Sequence, residues 1–212
     1  MNMRSNSAET QQLPEGSGQS EEDATEAFLP AQTLLQVWQA PDYRAAHYIR
    51  AGLLLGGLAG CTSLVFNVVG SVLWPAISGQ AQHPLRIIQV YLTFPLGETA
   101  LQLDSGALLA IGCVAYLATG MLYGMLFEWA ISFFVPNSGH VPRMVFCSAL
   151  ALLIWGLNFY GILIWLQPLL FGQRWIVDLI PWWVAAATHL VFGCTMALLY
   201  PLGADERDRP TR

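Results

Sequence analysis

The chain is expected to be an all-α integral membrane protein with four transmembrane helices arranged as two antiparallel hairpins. Three observations lead there. First, four stretches, residues 51–74, 106–127, 144–166 and 180–202, are strongly apolar and contain no Lys, Arg, Asp or Glu. Second, each is long enough to cross a bilayer, since about 20 helical residues rising roughly 1.5 Å apiece span a hydrocarbon core of about 30 Å. Third, 55% of the chain is hydrophobic and only 11% charged, where soluble domains carry about a quarter charged residues.

Residues 1–30 are rich in Ser, Glu, Gln and Gly and read as a disordered acidic tail. Arg4 stands there against Glu9, Glu15, Glu21, Glu22, Asp23 and Glu26, so this tail alone carries the whole net charge of −5. The rest is balanced, and no basic surface for nucleic acid remains. No apolar stretch follows a basic flank at the start, so no cleavable signal peptide is expected and the first span must serve as the insertion signal. Residues 31–50, with Leu34, Leu35, Val37, Trp38, Tyr43 and Tyr48, read as an interfacial amphipathic segment.

The first span carries Gly52-x-x-x-Gly56-x-x-x-Gly60, and the second carries Gly120-x-x-x-Gly124. Stripes without side chains let backbones approach and drive helix association in lipid. They are expected either to close this bundle or to dock another subunit. The first outer loop holds residues 85–93 between Pro84 and Pro95. Leu85, Ile88 and Leu92 are spaced for one helical face; Arg86, Gln89 and Thr93 are spaced for another. Too short to span, this segment should lie on the outer surface or be re-entrant and buried against the bundle. Pro136, Asn137, Gly139 and Pro142 form the turn between the second and third spans. The last loop is flanked by Trp165, Trp175, Trp182 and Trp183, an aromatic belt for one membrane face. Residues 203–212 form a second tail.

Arginine placement orients the spans. Arg4, Arg44, Arg50, Arg143, Arg207, Arg209 and Arg212 share a side with both termini, whereas Arg86 and Arg174 lie on the other. Basic loops stay cytoplasmic, so both termini are expected inside a bacterial inner membrane.

An internal echo runs through the chain. Asn67-x-x-Gly70-x-x-x-Trp74 ends the first span and Asn158-x-x-Gly161-x-x-x-Trp165 ends the third. Gly120 and Gly124 in the second span correspond to Gly193 and Ala197 in the fourth. A weak tandem repeat of hairpins produces that pattern.

Few residues in the spans carry chemistry. His189, near the middle of the fourth span, shares a face with Ala185, Gly193 and Ala197 and should point inward. It is expected either to bond a neighbouring helix or to act as a proton relay, haem ligand or solute partner. Haem is disfavoured because no other span contains His, and no cofactor is expected. Asn67 and Asn158 should either bond one another or, with His189 one to two turns deeper, line a small polar cavity. Cys61, Cys113, Cys147 and Cys194 fall one to a span. Cys113 and Cys147 lie about 10 Å and about 6 Å inside opposite faces, too far apart to share an ion with bonds near 2.3 Å. Glu98, Asp104, Asp178 and Glu128 read as solvated interfacial charges. There is no phosphate-binding loop, no H-E-x-x-H and no G-x-S-x-G.

With so little catalytic equipment, the expected function is a non-catalytic accessory or assembly subunit of a larger complex. The alternative is a small oligomeric transporter or channel subunit whose path is lined by Asn67, Asn158 and His189. Expected partners are the lipid bilayer and other membrane subunits or further copies of the chain.

Overall fold

Seven α-helices, one short 3-10 turn and one π-helical segment make up the described residues, which are 41–79 and 83–203 of this computed structural model. They are α1 (Pro41–Ser78), α2 (Arg86–Leu96), α3 (Gly106–Phe134), α4 (His140–Gly156), α5 (Ile164–Phe171), α6 (Trp175–Leu179) and α7 (Trp182–Gly203). A 3-10 turn, Gly97–Gln102, follows α2, and the π-helical segment Leu157–Leu163 joins α4 to α5. No strand occurs among the described residues. The acidic tail, residues 31–40 and the C-terminal tail lie outside them. Residues 41–44 add only the first turn of α1, and everything below concerns the unit from Ala45 onward.

Four helical stretches are long and apolar enough to cross a membrane: Ala46–Trp74, Gly106–Phe134, His140–Phe171 and Trp182–Gly203. Three exceed their sequence-read lengths, and two of them take in a charged residue that is buried by the protein, Glu128 on one and Arg143 on the other. Residues 46–50 likewise run into the first span within one helix. Large apolar side chains cover the outside: Leu54, Val65, Ile111, Val114, Leu122, Val145 and Leu153 are all exposed. A surface like that belongs in lipid.

Glycine decides how the helices meet. A Cβ on Gly56 would stand 2.6 Å from the Gly120 oxygen and 2.6 Å from the Gly124 Cα. One on Gly52 would meet Met125 Cα at 2.5 Å. Contacts recede along α3 as they advance along α1, so these two helices run antiparallel with backbones touching. On α7, a Cβ at Gly193 would stand 2.7 Å from the Cys147 oxygen and 2.8 Å from the Ala151 Cβ on α4. The shift that carries Asn67 onto Asn158 also carries Gly56 and Gly60 onto Cys147 and Ala151. Gly120 crosses the first pair where Gly193 crosses the second. Leu55, Ala59, Phe127, Ile131, Cys147, Ala151, Met196, Ala197 and Tyr200 join the two pairs in one buried core.

The segment α2 is buried on both its faces. Ile88 and Leu92 pack with Ala100 and Leu109, directly over Gly112, where a Cβ would meet Ile88 Cγ2 at 2.5 Å. Val90 joins Phe159, Ile176 and Ala185. Most of the polar face is turned inward too: Gln89 is 3% exposed and Thr93 fully buried, while Arg86 is half-buried. Gln89 Nε2 donates to the Leu103 oxygen at 3.0 Å, and Arg86 Nη1 donates to Gln89 Oε1 at 3.3 Å. Thr93 donates to the Val90 oxygen and accepts from Gln167 Nε2 at 3.0 Å, while Gln167 Oε1 accepts the Ile176 N–H at 3.0 Å. Every polar group of Thr93 and both ends of Gln167 are thus paired, as burial demands.

Candidate functional site

Between the two helix pairs lies a cavity of about 570 Å³. Its floor and walls come from α1 (Gly60, Ser63), α3, α4, the π segment and α7, with α2 and α6 across one end. The polar groups on it are Ser63, Tyr91, Tyr116, Thr119, Tyr123, Asn158, Thr188 and His189. No Arg, Lys, Asp or Glu is among its lining residues. Of those residues only Pro95 and Ile162 are exposed, and Ile162 lies in an apolar span.

The sequence-read trio is split between the wall and the layer behind it. Asn158 and His189 line the cavity. Asn67 stands behind: its Nδ2 donates to the Ser63 oxygen at 2.8 Å, and its Oδ1 lies 3.1 Å from Thr188 Oγ1. Ser63 Oγ in turn lies 3.4 Å from the Thr188 oxygen. Asn67 therefore ties α1 to α7 and does not bond Asn158. Asn158 Nδ2 donates to the Tyr123 hydroxyl at 2.6 Å, tying the third span to α3. The expected mutual bond is replaced by two separate ones because α7 and α3 each present a hydroxyl nearer at hand.

His189 bonds within its own helix rather than to a neighbour. Its Nδ1 lies 2.8 Å from the Ala185 oxygen. A carbonyl can only accept, so Nδ1 carries the ring proton and Nε2 presents a lone pair. No group of three or more His, Cys, Asp or Glu that could hold a metal occurs among the described residues. All four cysteines are free thiols.

Several wall residues escaped the sequence reading. Tyr116, Thr119 and Tyr123 share one face of α3 at helical spacing with the already noted Gly120, a pattern that was there to be found. Tyr91 was not, because its reach to Thr119 Oγ1, at 2.7 Å, depends on α2 lying down over α3. The π-helical turn around Asn158 was also hidden. Such wide turns re-aim side chains and recur where helices form sites; this one puts Asn158 on the wall and buries Phe159.

The glycine stripes are spent within the chain. Gly52, Gly56 and Gly60 face Gly120 and Gly124, and Gly193 faces α4. Glu128 corrects the reading of an interfacial charge: it is 1% exposed on α3. Arg143, opposite it in character, is 3% exposed, donates Nη2 to the Ser138 oxygen at 2.8 Å and lies 4.6 Å from the Tyr200 ring centre. The Tyr200 hydroxyl lies 3.2 Å from Ser132 Oγ. Both buried charges lie inside helices, α3 and α4, that extend beyond the apolar stretches read from the sequence.

The fold and cavity define a class: a multi-pass helical protein of membrane type with an internal cavity lined by no charged residue. No protein-family model matches the chain, and no curated protein or solved structure matches it either.

Proposed function

We propose that this protein is a small membrane-embedded binding subunit, of the transporter or channel kind, that accepts an uncharged lipid-soluble solute between its two helix pairs. One observation carries the reading: the cavity of about 570 Å³ falls within the roughly 300–1,000 Å³ of small-molecule sites. Its polar groups converge from α1, α2, α3, the π segment and α7. The two exposed lining residues, Pro95 and Ile162, are apolar, which favours access from the bilayer over access from water. Asn158 and His189 contact the solute, and Asn67 holds Thr188 and Ser63 in the wall. The bilayer and further copies of the chain are its partners.

The accessory-subunit reading rested on scarce catalytic equipment, small size, glycine stripes and aromatic outer surfaces; the stripes have partners inside. A docking face for it is offered by the exposed cluster of Trp129, Phe133 and Phe134 on α3, where Trp129 stacks on Phe133. Membership in a larger inner-membrane complex would use that cluster. We read the helix pairs as two hairpins of a duplicated unit, with α2 as a re-entrant segment between them. The arginine distribution supports cytoplasmic termini.

Native mass spectrometry of the detergent-purified protein tests the reading. A small-molecule adduct on the wild type, lost in Ala115→Phe, which puts a ring into the cavity, is the expected result. An adduct that persists in Ala115→Phe, or a chain recovered only in fixed stoichiometry with other subunits and carrying no adduct, refutes it.

A further inference from the structure

The hydrogen-bonding atoms on the cavity wall specify a ligand more narrowly than its volume does. Thr119 Oγ1 donates to the Ala115 oxygen at 3.0 Å, so the proton between Thr119 and Tyr91 belongs to Tyr91 and is already used. Thr188 has one proton, lying between the Val184 oxygen at 2.8 Å and Asn67 Oδ1 at 3.1 Å. Tyr123 differs. It accepts from Asn158 at 2.6 Å, and its own O–H has no acceptor among the described residues. His189 differs in the opposite sense, because its proton is spent on Ala185 and its Nε2 can only accept. The wall therefore presents an unspent donor at Tyr123 on α3 and, at His189 on α7, an acceptor that cannot donate; the Tyr116 hydroxyl on α3 lines it as well.

An ion does not suit this space, because nothing charged lines it to offset desolvation. A purely apolar molecule leaves both groups unpaired, at a cost burial normally forbids. A hydroxyl satisfies both by accepting from Tyr123 and donating to His189. Phe94, Phe127, Phe159 and Phe192 also line the cavity, and Phe127 and Phe192 meet edge-on at 5.4 Å. Those faces suit a planar ring. Resting on the binding reading above, we infer that the ligand is a lipid-soluble phenol, hydroquinones included, whose hydroxyl bridges Tyr123 and His189 while its apolar chain extends toward Pro95 and Ile162.

The test uses the full chain in detergent and three uncharged probes of nearly equal shape: para-decylphenol, para-decylanisole and decylbenzene, with decanoate as the anion. The phenol should bind saturably. The anisole, which accepts but cannot donate, should bind about tenfold more weakly, and decylbenzene weaker again, each step being one hydrogen bond. Decanoate should not bind. Tyr123→Phe and His189→Leu should each bring the phenol down about tenfold and leave decylbenzene unchanged, a readout that general damage to the fold would not reproduce. Equal affinity for phenol and anisole in the wild type overturns the phenol assignment, and this comparison needs no variant. If the probes bind equally and Ala115→Phe abolishes them all, the cavity remains a binding site for another class. If none binds saturably, the binding reading itself falls.

Discussion

Gly56→Ala should loosen the α1–α3 seam, and the neighbouring Gly57→Ala should not. The new Cβ on Gly56 would sit 2.6 Å from a backbone oxygen and 2.6 Å from a backbone Cα. Neither atom can rotate away, so the helices must part by about 1 Å, and a gap of that size forfeits a quarter to a half of each affected dispersion contact. Gly52, Gly60, Gly120 and Gly124 share the seam, so the loss spreads along it. Overpacking of this kind costs about 1–3 kcal/mol; rigid neighbours place this case at the upper end, and alanine's helix preference of up to about 1 kcal/mol leaves a net loss of about 2 kcal/mol. A Cβ on Gly57 meets only Met121 Cγ, at 3.5 Å, an ordinary contact. Alanine also favours the helix by up to about 1 kcal/mol, so Gly57→Ala should be neutral or mildly stabilising. Unfolding in mixed detergent micelles with increasing dodecyl sulfate, followed by tryptophan fluorescence, measures both. If Gly56→Ala unfolds within about 0.5 kcal/mol of the wild type, the packing argument is wrong.

Gln167→Leu should release α2 from the bundle, costing about 1–3 kcal/mol because Thr93 and the Ile176 N–H both lose a buried partner. Faster amide exchange at Ile176 and through residues 86–103 would register it; unchanged exchange would contradict the latch. Arg143→Leu should destabilise by about 1.5–3 kcal/mol, the worth of a buried hydrogen bond from a charged donor, and Arg143→Lys should recover little, since an ammonium cannot both reach the Ser138 oxygen and cover the Tyr200 ring; thermal melts of the two variants decide. In a background stripped of cysteine, an impermeant maleimide applied to intact cells should label Gln173→Cys readily and Asn137→Cys only after permeabilisation. The reverse pattern would invert the proposed orientation.

The parts of the site legible in the sequence were those encoded by rarity. His189 and Asn158 stood out because polar side chains in apolar spans are costly, and both line the cavity. Asn67 stood out for the same reason, but its partner could not be read, because Thr188 lies far away in the chain and is brought close only when α1 meets α7. The polar face of α2 was legible as polar. That it docks against Leu103 and Gln167 instead of water was not, since hydrophilic periodicity records composition and not surroundings.

Span number, apolar exterior and helix-packing glycines are local properties: each follows from a contiguous stretch, its length against the bilayer and the absence of a Cβ. The sequence alone determined these. Only the tertiary structure decided which glycines face which, that Glu128 and Arg143 are buried, and that a cavity remains between the two helix pairs. The cavity is a mismatch in packing. Backbones touch at Gly56 and Gly120 and again at Cys147 and Gly193, whereas Tyr116, Tyr123 and the π-helical turn surround space that the two pairs do not fill. Where side chains fail to meet depends on every helix at once, and no single stretch of sequence contains that information.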